Sequence, residues 1–171
     1  WQGQVYVANC PVFGIEEREE TVARARELGA QVLELGRSRA GLPMVLITLT
    51  DASVPLRDKV AVLMICGQHS PVEQMTGWIG RSVMEELARM NESGEHRGLL
   101  KRLVFFHVPI FNIDCAYFGT NAATLDGMPL ASCLPVADDA VRYAAIVPQM
   151  FRRTRRYFRQ LLETEVHCMA I

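Results

Sequence analysis

A chain of 171 residues, half of them apolar, with 18 Lys plus Arg against 19 Asp plus Glu and a net charge of −1, is expected to form one soluble domain with a buried core over residues 1–171. Balanced charge leaves no footprint for nucleic acid or an anionic membrane, and no apolar run approaches the roughly 20 residues that span a bilayer. Five scattered cysteines, Cys10, Cys66, Cys115, Cys133 and Cys168, argue against a disulfide scaffold and for a reducing, cytoplasmic setting.

Trp1 opens the sequence where a methionine would be expected, which leaves room for a lost targeting segment. Residues 1–35 read as a strand–helix–strand segment: Gln4 to Ala8 alternates as a strand, and Ile15 to Leu28 follows as a charged helix. Its apolar side is Ile15, Val22, Ala25 and Leu28, and Gly29 ends it. Gln31 to Leu35, Met44 to Thr50 and Val60 to Cys66 are apolar runs separated by Gly- and Pro-containing turns, and read as strands.

From Val72 to Asn91, Met75, Ile79, Val83, Leu87 and Met90 recur at helical spacing, with Gly94 as the stop. Leu103 to Ile110 is a continuous apolar strand of the doubly buried kind, with pairing expected to end at Pro109. Residues 111–137 read as a long loop, a length that tends to be functional. A helix is expected from Asp138 to Leu162 with a break at Pro148, then a last strand at Val166 and His167. Strands alternating with helices predict a three-layer α/β/α sandwich on a mixed, mainly parallel sheet.

In such sheets ligands bind beyond the carboxyl ends of strands. His69 follows the strand ending near Cys66, and Glu73 opens the next helix. Together with His167 from a distant strand they would supply two imidazole nitrogens and one carboxylate, a set that suits catalytic zinc with a fourth position open to water. Spacing alone leaves a second reading open: Ser70 as N-cap, Pro71 at the first helical position and Glu73 closing a capping box. His167 likewise reads as a structural histidine or as a ligand.

Four segments in order carry a resemblance to the zinc carboxypeptidases, including their cytosolic branch. Gly36-Arg37-Ser38 with Pro43 to Thr50 resembles that family's glycine-then-serine turn and following strand. Val60 to Trp78 resembles its strand, His-x-x-Glu and helix. Val108 to Asp114 resembles its Val-Pro-x-x-Asn-Pro-Asp-Gly, and Glu165-Val166-His167-Cys168 its third-ligand strand. The resemblance implies the N-terminal portion of a catalytic domain that stops after the third ligand, with zinc held by His69, Glu73 and His167. It implies cleavage of a peptide or amide bond at a peptide or protein terminus by metal-activated water, and a general base beyond Ile171.

The sequence departs from the family in two places. His69 and Glu73 have three residues between them instead of two. The family's Asp-x-Asn-Arg, whose Asn and Arg hold the substrate carboxylate, falls at Pro129-Leu130-Ala131-Ser132, and serine cannot imitate a guanidinium fork. Asn121 and Ser132 are the candidate substrate-binding residues that remain. The alternatives are a catalytically inactive carboxypeptidase-like binding module and a zinc acylase of the aspartoacylase or succinylglutamate desuccinylase type.

Other features have plainer readings. The arginines at 152, 153, 155, 156 and 159 read as the solvated face of an amphipathic helix. Cys66 and Cys168 read as buried, inert thiols, although their closeness in sequence to His69 and His167 also permits a Cys/His structural zinc site. His107 reads as a core residue, His96 as solvated, and Met75, Met84 and Met90 as core residues of their helix.

Overall fold

The computed structural model describes residues 10–67, 71–119 and 168–170. Within them, helix α1 (Ile15–Glu27) leads into strands β1 (Gln31–Arg37), β2 (Pro43–Leu49) and β3 (Val60–Ile65). These are followed by helix α2 (Met75–Glu92), strand β4 (Leu103–Val108), the short helix α3 (Ile113–Phe118) and strand β5 (Cys168–Ala170). The expected strand at Gln4 to Ala8, the helix from Asp138 with its arginines, and Val166 and His167 lie outside the described residues.

The ends of α1 follow from its charges. Glu16 and Glu17 stand in its first turn and Arg24 and Arg26 in its last, each complementing the helix dipole. Glu17 also reaches back to accept the Gly14 N–H at 2.7 Å. Gly29, at φ 77°, turns the chain out of the helix in a conformation that suits glycine. Arg18, however, is buried, and its Nη1 donates to Pro43 O at 2.9 Å. Apolar periodicity carries no signal for such a residue.

The sheet has the order β1-β2-β4-β3-β5. β1 with β2 and β2 with β4 are antiparallel, while β3 with β4 and β3 with β5 are parallel. A mixed sheet is what the sequence pattern predicts. Because strand residues alternate between faces, β2 and β4 divide their side chains between two cores. Ile47, Leu49 and Phe105 meet Val22 and Ala25 of α1 and Met84 and Ala88 of α2. Met44, Leu46, Val104, Phe106 and Val108 face the other way, toward Phe13, Ile110 and Ile113 of α3. Helices thus contribute to the cores on both faces of the sheet, as in an α/β/α sandwich. All of Val104 to Val108 is buried, as a continuous apolar run implies, and β4 stops at Val108, just before Pro109.

Two expectations are corrected. Residues 111–137 are not a loop throughout, because Ile113–Phe118 is helical: the Asn112 side chain accepts the Cys115 N–H at 3.2 Å and caps it. The second concerns α2, whose buried residues are Gly77, Gly80, Met84 and Ala88. The predicted apolar line is displaced from that face, with Met75 42 % and Ile79 49 % exposed. Two glycines have no hydrophobic signature, yet they decide which side packs.

The reason is proximity. A β carbon on Gly80 would lie 2.3 Å from His107 Cε1 and 2.8 Å from Cys66 Sγ, both fully buried. Gly80→Ala is therefore expected to destabilise the fold: overpacking costs about 1–3 kcal/mol, offset by roughly 1 kcal/mol of helix preference. Urea denaturation measures this directly, and an unchanged or raised midpoint would show that α2 withdraws without loss.

Candidate functional site

The parallel pair β3/β4 directs its carboxyl ends to one edge of the domain, where the β1–β2 turn also lies because β2 runs antiparallel to β4 with Ile47 opposite His107. Beyond β3 the pairing continues through Cys66 N–H to Val108 O at 2.8 Å. The Phe111 N–H then returns to Cys66 O at 3.0 Å. Gly67 sits at φ 66°, and a β carbon there would meet Pro109 O at 3.3 Å. Glycine is required at that point by conformation and by space.

A single-turn 3-10 segment, Pro71–Gln74, leads into α2 and carries Glu73 in a half-buried position. One hydroxyl fixes this turn. Thr76 Oγ1 accepts the Gly67 N–H at 2.7 Å and donates to Glu73 O at 2.6 Å. The end of β3 and the carboxylate-bearing turn are thereby joined through one side chain.

Asp114 stands in the first turn of α3, beyond the carboxyl end of β4, and is only 7 % exposed. Its Oδ2 accepts the Ala40 N–H at 3.4 Å, tying the β1–β2 turn to α3, while its Oδ1 has no hydrogen-bond partner among the described residues. That turn is internally closed: Ser38 Oγ accepts the Leu42 N–H at 3.1 Å, and Ser38 N–H donates to Leu42 O at 2.8 Å.

Beneath this edge lies a buried pair, Cys66 Sγ and His107 Nδ1, 3.8 Å apart. Burial pushes the His107 pKa down to about 4 and the Cys66 thiol up to about 12, so both groups are neutral near pH 7. The His107 ring stacks on Phe105 at 5.9 Å, and its Nε2 finds no partner among the described residues. A thiol so protonated is not a nucleophile. The core reading of His107 and the inert reading of Cys66 both hold. His96 is exposed in a 3-10 turn.

Of the residues singled out by sequence, Glu73 is described and His69, His167, Asn121 and Ser132 lie outside the described residues. Among the described residues no group of three or more His, Cys, Asp or Glu could hold a metal. The chemistry of Glu73 suits a metal ligand: it is a carboxylate beyond a strand's carboxyl end, partly buried, on a turn whose Glu73 carbonyl is held by Thr76. β5 sits differently. Cys168 pairs with Ala61 and Ala170 with Leu63, so β5 begins near the start of β3. At ~3.3 Å per residue, Ala61 is about 13 Å along the strand from Ile65. Asp114, Thr76 and the Cys66–His107 pair escaped sequence reasoning as parts of one edge, because residue type does not reveal which strand ends meet. No helix among the described residues is long and apolar enough to cross a membrane.

No family model matches the chain, and no curated relative matches it. Solved structures do. A metallo-carboxypeptidase from Burkholderia cenocepacia superposes with a TM-score of 0.66 at 24 % identity, over 93 % of this chain and 40 % of its own. One from Pseudomonas aeruginosa, in complex with (2-guanidinoethylmercapto)succinic acid, gives 0.58 at 22 % identity, over 92 % of this chain and 38 % of its own. Carboxypeptidase A from Helicoverpa armigera gives 0.51 at 17 % identity, over 62 % and 26 %. The fold is that of the metallocarboxypeptidases, and the chain spans about two fifths of the length of the first two.

Proposed function

We propose that this chain is part of a zinc-dependent, metallocarboxypeptidase-like hydrolase that cleaves a peptide or amide bond at a peptide or protein terminus. His69, Glu73 and His167 would hold the metal. The observation that carries the reading is Glu73, set on a fixed turn at the carboxyl end of β3 in a fold shared with metallo-carboxypeptidases.

Zinc, when bound, supplies polarisation of the scissile carbonyl and acidification of water. The chain's own residues supply position. Gly67 allows the chain to turn at the end of β3, Thr76 joins Gly67 to Glu73, and Asp114 holds the β1–β2 turn against the same edge. The neutral Cys66–His107 pair leaves no competing charge beneath it. The proton-transfer base belongs to sequence beyond Ile171 in this reading.

Metal analysis of the purified full-length protein tests it. One zinc per chain is expected, with loss of the metal in His69→Ala; wild-type protein without zinc, or a His69→Ala variant that keeps it, ends the proposal. His167→Ala is the separate test of the third ligand, since β5 runs beside the first half of β3. Retention of zinc there would reassign that ligand and leave His69 and Glu73 in place.

Pro129-Leu130-Ala131-Ser132 favours a second reading, a binding module without hydrolysis, because the guanidinium fork for a free carboxylate is missing. A zinc acylase uses the same ligand scheme and stays within the first. Hydrolysis of terminal peptides or of N-acyl amino acids by the full-length protein excludes the module.

A further inference from the structure

The segment ahead of α1 is fastened to the turn that carries Glu73, and we propose that Val12, Phe13, Gln74 and Trp78 form a latch that positions Glu73. This inference rests on the zinc reading of that residue. The two main-chain groups of consecutive residues go to side chains four positions apart, Gln74 at the N-cap of α2 and Trp78 in its first turn. Phe13 N–H donates to Gln74 Oε1 at 3.2 Å, and Val12 O accepts the Trp78 Nε1–H at 3.0 Å. Between these two anchors lies Gly77, and the Phe13 ring occupies the space its side chain would take: a β carbon on Gly77 would lie 2.3 Å from the ring. Phe13 is 1 % exposed and meets Trp78 edge-on, with centroids 5.4 Å apart and planes at 84°.

The first turn of a helix has unsatisfied N–H groups and frays unless something holds it. Gln74, the N-cap residue of α2, makes no side-chain cap bond, and its amide oxygen accepts the Phe13 N–H. The start of α2 is held from outside instead, by Thr76 on the side of β3 and by the latch on the side of α1. A metal ligand must be held within about 0.5 Å of its working geometry by groups that are themselves fixed. Glu73 is reached by both fastenings, its own carbonyl accepting the Thr76 hydroxyl and the adjacent Gln74 accepting the Phe13 N–H.

The latch can be opened without emptying the Phe13 pocket. Gln74→Met removes the acceptor at similar volume, and Trp78→Phe removes the donor while keeping an aromatic ring. In the full-length protein the double variant is expected to bind zinc about 10–100-fold more weakly, the range seen when a group supporting a ligand is lost. The visible absorption of its cobalt-substituted form is expected to change in intensity, which reports altered ligand placement. Zinc affinity and cobalt spectrum equal to wild type overturn the latch, also where the metal-free protein is less stable, since that assigns the contacts to packing alone. Wild-type protein that binds no zinc overturns the zinc reading and the latch together, a result distinct from variants that bind as well as wild type. Should the double variant fail to fold, each single substitution is read by the same two measurements.

Discussion

Glu73→Gln in the full-length protein is expected to lose its zinc and to hydrolyse substrate more slowly by more than the roughly 10–100-fold that follows loss of a supporting group alone. The substitution is chosen because Glu73 has a second role that must be kept apart from the first. It is the acidic residue in the 3-10 turn that opens α2, where a negative charge is worth about 0.3–1 kcal/mol to the helix. Glutamine gives up that small term and keeps the size and much of the hydrogen bonding, so the fold survives. A helix-start residue would show only a slight fall in the unfolding midpoint. A ligand loses the metal. Metal content and initial rates, measured beside urea denaturation of the same preparation, separate the two, and unchanged metal content would leave Glu73 as a helix-start residue only.

Acid is expected to unfold this domain early, through His107. Its pKa falls from 6.5 to about 4 because burial disfavours the charged imidazole. The folded state then binds its proton less readily than the unfolded chain, so stability is complete above about pH 6.5, declines as pH falls, and is fully lost from this source near pH 4. At ~1.36 kcal/mol per pH unit the difference is about 3 kcal/mol, a large share of an ordinary domain's 5–15 kcal/mol. The groups around the ring give a proton no counter-charge: Phe105 stacks on it, Met64 O is 3.5 Å from Nδ1, and the nearby Cys66 thiol is neutral. His107→Gln removes the titration and keeps a neutral polar side chain. Denaturation free energies at pH 7 and pH 4.5 should differ much less in the variant than in wild type; equal differences would place the acid lability elsewhere. The carboxyl of Glu86, lowered chiefly by its hydrogen bond from Arg89, is common to both proteins and cancels from the comparison.

The strands were legible because each is a burial pattern written in consecutive residues. Val60 to Cys66 and Leu103 to Ile110 read as apolar strands, and β3 and β4 occupy Val60–Ile65 and Leu103–Val108; β4 is buried, while Val60 and Ile65 at the ends of β3 are exposed. α1, expected over Ile15 to Leu28, runs over Ile15–Glu27. What escaped the sequence depends on close approach. Gly77 and Gly80 turn α2 toward Phe13 and His107 because they have no side chain, so a count of apolar residues selects the neighbouring face through Met75 and Ile79. α3 is a six-residue helix started by Asn112 and too short for periodicity to declare itself. For the site, the order of motifs gave Glu73 its place beyond β3. The fastening of that residue through Thr76 and Gln74 joins positions as much as 61 residues apart in the chain, and spacing along a sequence holds no record of it.

β1 lies at one end of the described strand order, and its outer rim carries a consequence for crowded or concentrated protein. An open strand offers its free N–H and C=O groups to any passing chain. Here the pairing with β2 shifts register between Glu34 and Gly36, so the regular stretch from Gln31 to Glu34 is short. Such an irregularity bends and twists the strand, and the charged pair Glu34–Arg37, at 3.3 Å, sits over it. The six- or seven-residue length from which stacked intermolecular sheets grow is not available along this rim. The irregularity at Gly36, inside β1 itself and ahead of the hairpin turn, thus makes this rim a poor template for a second molecule.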